Sequence, residues 1–263
     1  MTSEKPKQPS RTRTVVRWTA LVLGVLLAVA IGVFLIWALT PLGPTEEALA
    51  ALESGRGVSV VESRDGWVFT PLSSAETTTG LVFYPGGRVD ARSYAPFARD
   101  LAARGHRVAI AKMPLSLAVF NPNAADEFIG APGSGVLAWA VGGHSLGGAM
   151  AAQYASTHQG PVTGLLLLAS YASGKQDMSG ARMAAADVTA TNDGVLDQAN
   201  WKAGQALLPK ATEHWVIAGG NHAQFGDYGA QPGDNPATIT GAEQRRQAVD
   251  AADVLLRGLA QVR

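Results

Sequence analysis

Ser145 stands in the run Gly143-His144-Ser145-Leu146-Gly147, a serine spaced between two glycines. A serine hydroxyl attacks a carbonyl only in a particular setting. It must be exposed, beside a base that takes its proton and beside donors for the oxyanion that forms. A sharp strand-to-helix turn supplies that setting, and it needs glycine at 143 and 147, where side chains would clash. The flanks fit: an apolar run, Val136 to Val141, leads in, and a run of small residues, Ala149 to Ser156, leads out as a helix. The plain alternative is a glycine-rich turn that packs a helix closely on a strand, so the partners decide.

A base and its orienter are expected on loops at the carboxyl ends of later strands, where such a sheet gathers its site. The strand-like run Met183 to Ala190 enters Thr191-Asn192-Asp193-Gly194, and Glu213 to Ala218 enters Gly219-Gly220-Asn221-His222. His222 would take the proton of Ser145 and return it to the leaving group, while Asp193 would hold the imidazole tautomer and stabilise its charged form. Asp193 also suits an N-cap before Val195. Asp187 falls in mid-strand and Asp197 is expected inside a helix, which leaves both poorly placed as orienters. Of the other histidines, His106 and His214 flank strands, His158 ends a helix, and His144 fills the variable position beside the serine. One oxyanion donor is expected from the backbone N–H of Leu146. The second is expected from the turn Tyr84-Pro85-Gly86-Gly87-Arg88, at Gly87, with Arg88 as the alternative one residue on.

These loops must be carried by a regular frame. Strand-like runs are Val58 to Glu62, Gly66 to Thr70, Gly80 to Tyr84, Arg107 to Ala111, Val136 to Val141, Val162 to Ala169, Met183 to Ala190 and Glu213 to Ala218. Helical spacing covers Ala91 to Arg104, stopped by Gly105, as well as Val195 to Leu207 and Gly241 to Val262, with a short helix from Asn123 to Ile129. Met113 to Phe120 is irregular and apolar, equally suited to a wall of the site and to core packing. Alternation of strands and helices after two neighbouring strands predicts an α/β fold: a mostly parallel sheet with an antiparallel start and helices on both faces. Val162 to Ala169 is almost wholly apolar, as a strand covered on both faces should be.

The chain has 263 residues, enough for one large domain with a full core. Its 21 basic and 21 acidic residues give no global attraction for nucleic acid. The distribution is uneven, since Lys5, Lys7, Arg11, Arg13 and Arg17 face only Glu4 in residues 1–17. Residues 18–40, Trp18 to Thr40, then carry no charge, and about 20 apolar residues span a bilayer as a helix. Trp18 and Trp37 lie near the two ends, where such rings favour the interface. The basic flank predicts a single-pass membrane protein with a cytoplasmic tail (1–17) and the remainder outside the membrane. A cleaved signal peptide is the competing expectation, but Ala38-Leu39-Thr40 makes a poor cleavage site. Residues 41–56 are expected to form a linker and a short helix capped by Thr45, with the domain proper over 57–263. The chain has no cysteine, which excludes cysteine nucleophiles and thiolate metal sites.

Four segments in order, FYPGG, GGHSLGG, TNDG and GGNHAQFGDYG, resemble the α/β-hydrolase superfamily, of the small esterase/lipase-like and dienelactone-hydrolase-like kind. Ser145, Asp193 and His222 follow the chain order of that family's triad. The oxyanion turn of such enzymes often begins with His-Gly; here Pro85-Gly86 stands instead. The resemblance implies a serine hydrolase acting on a carboxylic ester or thioester, of small-molecule or lipid-like character, without a cofactor. An acyltransferase on the same triad and a non-catalytic binding module of the same fold are the alternatives. Metal binding through His222 and Asp227 would lack a third ligand. Phe225, Asp227 and Tyr228 are expected to order the loop after His222. Only about a dozen residues, Tyr171 to Arg182, stand where larger relatives insert a cap, which predicts a shallow, open site.

Overall fold

The computed structural model describes residues 11–55, 57–72, 78–131 and 133–261. Among them, eight strands form one sheet: β1 (Val58–Glu62), β2 (Gly66–Pro71), β3 (Thr79–Tyr84), β4 (Arg107–Ala111), β5 (Ala138–His144), β6 (Val162–Leu168), β7 (Ala184–Ala190) and β8 (Thr212–Ile217). The strand order is β1-β2-β4-β3-β5-β6-β7-β8. The pairs β1–β2 and β2–β4 are antiparallel and every later pair is parallel. The fold is therefore the expected α/β-hydrolase architecture: a mostly parallel sheet with an antiparallel start.

Side chains on the central strands alternate between two cores because successive residues point to opposite faces. Leu81, Phe83, Val108, Ile110, Leu166 and Leu168 enter one cluster. Val82, Tyr84, Ala109, Trp139, Leu165 and Leu167 enter the other. Helices α3 (Ala95–Ala102) and α6 (Gly241–Gln261) cover the first face, and α4 (Leu146–Thr157) covers the second. With both faces covered, β6 is buried along nearly its whole length. A short helix, α2 (Glu46–Ala50), is capped by Thr45, whose side chain accepts from the Ala48 N–H.

Three boundaries differ from expectation for local reasons. The run from Ala91 opens as a 3-10 turn, Ala91–Tyr94, capped by Asp90, before α3 begins at Ala95 with Pro96 in its first turn. Asn123 to Ile129 yields only a 3-10 turn, Ala124–Glu127. The helix expected from Val195 starts later, as α5 (Gln198–Gly204), because Asp197 caps it: its Oδ1 accepts from the N–H groups of Ala199 and Asn200 at 3.0 Å each. Asp197 thus lies at a helix start rather than inside a helix.

The chain divides after Thr40 into two units. The first contains α1 (Arg11–Leu39), whose segment Val15–Leu39 is 25 residues long and apolar enough to cross a membrane. At 1.5 Å per residue, that length exceeds a hydrocarbon core of about 30 Å. Lys5 and Lys7 of the basic tail lie outside the described residues, as do Arg56 and Val262 at the ends of two expected segments.

Candidate active site

Ser145 joins β5 to α4 with φ 53° and ψ −124°, a conformation that side chains rarely adopt. The turn is tight enough to exclude side chains beside it. A Cβ on Gly147 would overlap the carbonyl oxygens of Tyr84 and Pro85, and one on Gly143 would press on Tyr84 and on Gly147 itself. These neighbours are backbone atoms and cannot swing away. Gly147→Ala is therefore expected to destabilise the fold by about 3 kcal/mol or more, read as a fall in thermal midpoint. A wild-type melting curve for that variant would mean that the elbow is looser than described.

Because β5 through β8 run parallel, their carboxyl ends share one edge, and the loops after β7 and β8 meet there. Asp193 Oδ2 accepts from His222 Nδ1 at 2.8 Å, with both side chains buried. The other carboxylate oxygen, Oδ1, accepts from the N–H groups of Val195 at 2.8 Å and Leu196 at 2.7 Å. Asp193 thus engages His222 and the two N–H groups through separate oxygens; those N–H groups lie in a turn ahead of α5, so the capping expectation falls to Asp197 instead. Burial pushes the Asp193 carboxyl up, but His222 and the two N–H groups outweigh it and hold its pKa below the usual carboxylate value. Asp234 stitches the two loops together, accepting from Gly194 N–H at 2.9 Å and from Ala223 N–H at 2.8 Å.

His222 Nε2, the nitrogen turned away from Asp193, makes no hydrogen bond among the described residues. Ser145 and His222 line a common cavity of about 250 Å³ with Leu146, Ala149, Tyr171 and Leu196. The structure thus brings Ser145, His222 and Asp193 to one edge, where Ser145 and His222 line one cavity without a hydrogen bond between them. A serine–base hydrogen bond is commonly long or absent until substrate is bound.

The turn after β3 offers three consecutive N–H groups. That of Gly86 donates to the Tyr94 hydroxyl at 3.0 Å, and that of Arg88 donates to the Ser116 carbonyl at 2.8 Å. The Gly87 N–H, between them, donates to no group among the described residues. Gly87 also lies against Leu146, since a Cβ built on it would be 2.9 Å from Leu146 Cδ2. The Leu146 N–H, first in α4, has no acceptor within the helix.

Other sequence expectations have definite places. Met113 to Phe120 forms two 3-10 turns, Pro114–Ser116 and Ala118–Phe120, braced against the turn after β3 through Ser116 rather than lining the Ser145 cavity. Tyr171 to Arg182 carries no helix, and its Met178 is fully buried. Phe225 and Tyr228 are buried, and Tyr228 donates to Gln231 at 2.9 Å. Asp227 pairs with Arg245 at 2.8 Å, so it faces α6 and not His222. Asp187, buried in β7, accepts from Trp201 at 2.9 Å and Gln205 at 3.0 Å and so fixes the α5 region to the sheet.

Sequence reasoning missed the group packed against His222. His144 is fully buried, shares a hydrogen bond of 2.8 Å between its Nδ1 and the Tyr94 hydroxyl, and has its ring centroid 4.5 Å from that of His222. Burial, and then the neighbouring His222, press its pKa well below the ordinary histidine value, so it stays neutral. Tyr94 and His144 are fifty residues apart, and no spacing rule links them.

Comparison with known proteins agrees with this architecture. Residues 80–246, which include Ser145, Asp193 and His222, match the model of the alpha/beta hydrolase family. No curated protein matches the sequence. Among solved structures, the dienelactone hydrolase from Anabaena variabilis is similar at TM-score 0.57 and 14% identity, covering 76% of this chain and 97% of that one. A thermostable esterase from Pseudomonas putida has TM-score 0.55 and 18% identity, covering 80% and 87%. A bacterial heroin esterase has TM-score 0.56 and 18% identity, covering 81% and 88%. At such identities the likeness is one of fold. The family match, extending over more than half of the sequence, is of another kind, and by it the chain belongs to the alpha/beta hydrolase family.

Proposed function

We propose that the chain is a membrane-anchored serine hydrolase that cleaves a carboxylic ester or thioester through an acyl-enzyme. The observation that carries this reading is the buried Asp193–His222 pair, whose Nε2 has no partner among the described residues, with His222 and Ser145 lining one cavity. Ser145 Oγ attacks the carbonyl carbon while its proton passes to His222 Nε2. Asp193 keeps the Nδ1 proton in place and balances the charge of the imidazolium. The N–H groups of Leu146 and Gly87 stabilise the oxyanion. Collapse of the tetrahedral adduct expels the alcohol or thiol, protonated by His222, and leaves the acyl group on Ser145. Water, deprotonated by His222, then releases the acid and restores the serine.

The solved structures similar in fold are named for a lactone and for esters, which makes esters the first class to test. Residues 18–40 serve as an uncleaved anchor in this reading, with the basic flank inside and the domain (57–263) outside the cytoplasm. The test is to treat the full chain, in detergent, with a fluorophosphonate probe and to map the adduct by mass spectrometry. A single adduct on Ser145 is expected. A folded chain that takes no label overturns the hydrolase reading and favours a binding module.

A further inference from the structure

Four residues span the distance between the two loops assigned to the reaction. Leu42, close behind the apolar helix in sequence, forms a parallel bridge to Val89. Its N–H donates to the Arg88 carbonyl at 2.8 Å, and its carbonyl accepts from the Asp90 N–H at 2.9 Å. These bonds flank the turn that holds Gly87. Three residues on, the Thr45 N–H donates to the carbonyl of Asp227 at 2.9 Å, in the loop that carries His222. Glu47 adds an ion pair with Arg245 at 2.6 Å, and the same guanidinium binds Asp227 at 2.8 Å. Leu42 is partly buried against the core that α3 and α6 cover, and Ala48 is fully buried. Between the attachment points, Gly43 is exposed.

We infer that Leu42 and Thr45 are positioning residues, a strap that holds the oxyanion turn and the base loop in register across residues 42–47. The inference rests on the hydrolase reading above. Two backbone bonds tie the strap to the turn at Arg88 and Asp90, immediately after the donor at Gly87. A third ties it to Asp227, five residues after His222. Neither loop is a regular element, so each owes its place to such ties. Displacement of a donor or base by about 1 Å can cost up to a hundredfold in rate. Substrate touches neither Leu42 nor Thr45 in this scheme, so the effect falls on turnover rather than on binding.

The test uses the full chain in detergent and exploits the N–H that proline lacks. Leu42→Pro deletes the bond to Arg88, whereas Leu42→Val keeps it with similar packing; Thr45→Pro deletes the bond to Asp227 together with the cap on Ala48, and Thr45→Ala, which loses the cap alone, is its control. The expected result is a fall in kcat of about tenfold or more for each proline variant with KM nearly unchanged, and near wild-type turnover for Leu42→Val. Folded proline variants with wild-type kcat would overturn the strap. Should those variants not fold, hydrogen exchange in the wild-type chain decides. Amides of Leu42, Thr45 and Asp90 that exchange as slowly as their neighbours in β3 support the strap, and amides that exchange at free-loop rates overturn it. Absence of fluorophosphonate labelling in the wild-type chain would instead remove the hydrolase reading and the positioning role with it, a failure distinct from equal turnover in all variants.

Discussion

Ser145→Ala is expected to lower ester turnover by roughly 10⁶-fold, and adding His222→Ala is expected to cost almost nothing more. In the proposed mechanism the two groups act as one device. Without the serine hydroxyl, His222 has no proton to take. Without His222 Nε2, the hydroxyl keeps its proton and remains a poor nucleophile. What survives in either variant is the contribution of the Leu146 and Gly87 N–H groups and of substrate placement, about 10³–10⁴ over water in enzymes of this constellation. The geometry makes the result interpretable. Ser145 Oγ takes part in no structural bond among the described residues, so its loss leaves the turn held by the glycines and by the Ser170 hydroxyl, which donates to the Ser145 carbonyl at 2.7 Å. Melting of Ser145→Ala should therefore match the wild type within about 0.5 kcal/mol. The measurement is kcat/KM on a short-chain ester for the two single variants and the double. Losses that multiply, or a Ser145→Ala variant that retains a tenth of wild-type turnover, would place the chemistry on another residue.

The serine turn was readable from sequence because its demands are local. A strand, two glycines with no room for side chains, and a helix start all fall within a dozen residues. The partner of His222 was harder to read. Asp193 and Asp197 stand four apart at the end of one strand, and helical spacing alone cannot say which of them caps α5. Asp193 makes its two N–H contacts in a turn, and Asp197 makes the cap. Composition names the glycines of the turn after β3 but cannot fix which N–H is uncommitted. That depends on the Tyr94 hydroxyl taking Gly86 and the Ser116 carbonyl taking Arg88. Leu42 engages through backbone atoms, which leave no side-chain pattern to read. Contacts such as Tyr94–His144 join distant positions through single atoms, and neither period 2 nor period 3.6 records them.

Asp193→Asn separates orientation from chemistry most sharply. Asn is isosteric, and its carbonyl oxygen can keep accepting from Val195 and Leu196, which fixes which way the amide faces. The NH₂ group must then point at His222 Nδ1, where the carboxylate now accepts. A donor there forces Nδ1 to accept in turn, moves the ring proton to Nε2, and leaves the nitrogen facing Ser145 unable to act as a base. A loss of about 10⁴ in kcat is expected, with little change in KM. Asp197 cannot substitute, since both its oxygens are engaged at the start of α5. Stability should respond differently, and with a sign. The folded pKa of Asp193 lies below the ordinary value, so its ionised form stabilises the fold above about pH 4. That contribution is lost as the pH falls through the folded pKa. The amide of the Asp193→Asn variant cannot ionise and lacks it. That variant should therefore be slightly less stable at neutral pH and should lose less of its stability on acidification. Asp193→Ala is the harsher companion, because it also strands the Val195 and Leu196 N–H groups at a cost of about 1–3 kcal/mol. An Asp193→Asn variant that folds, melts like the wild type and keeps kcat within tenfold would mean that another group orients His222.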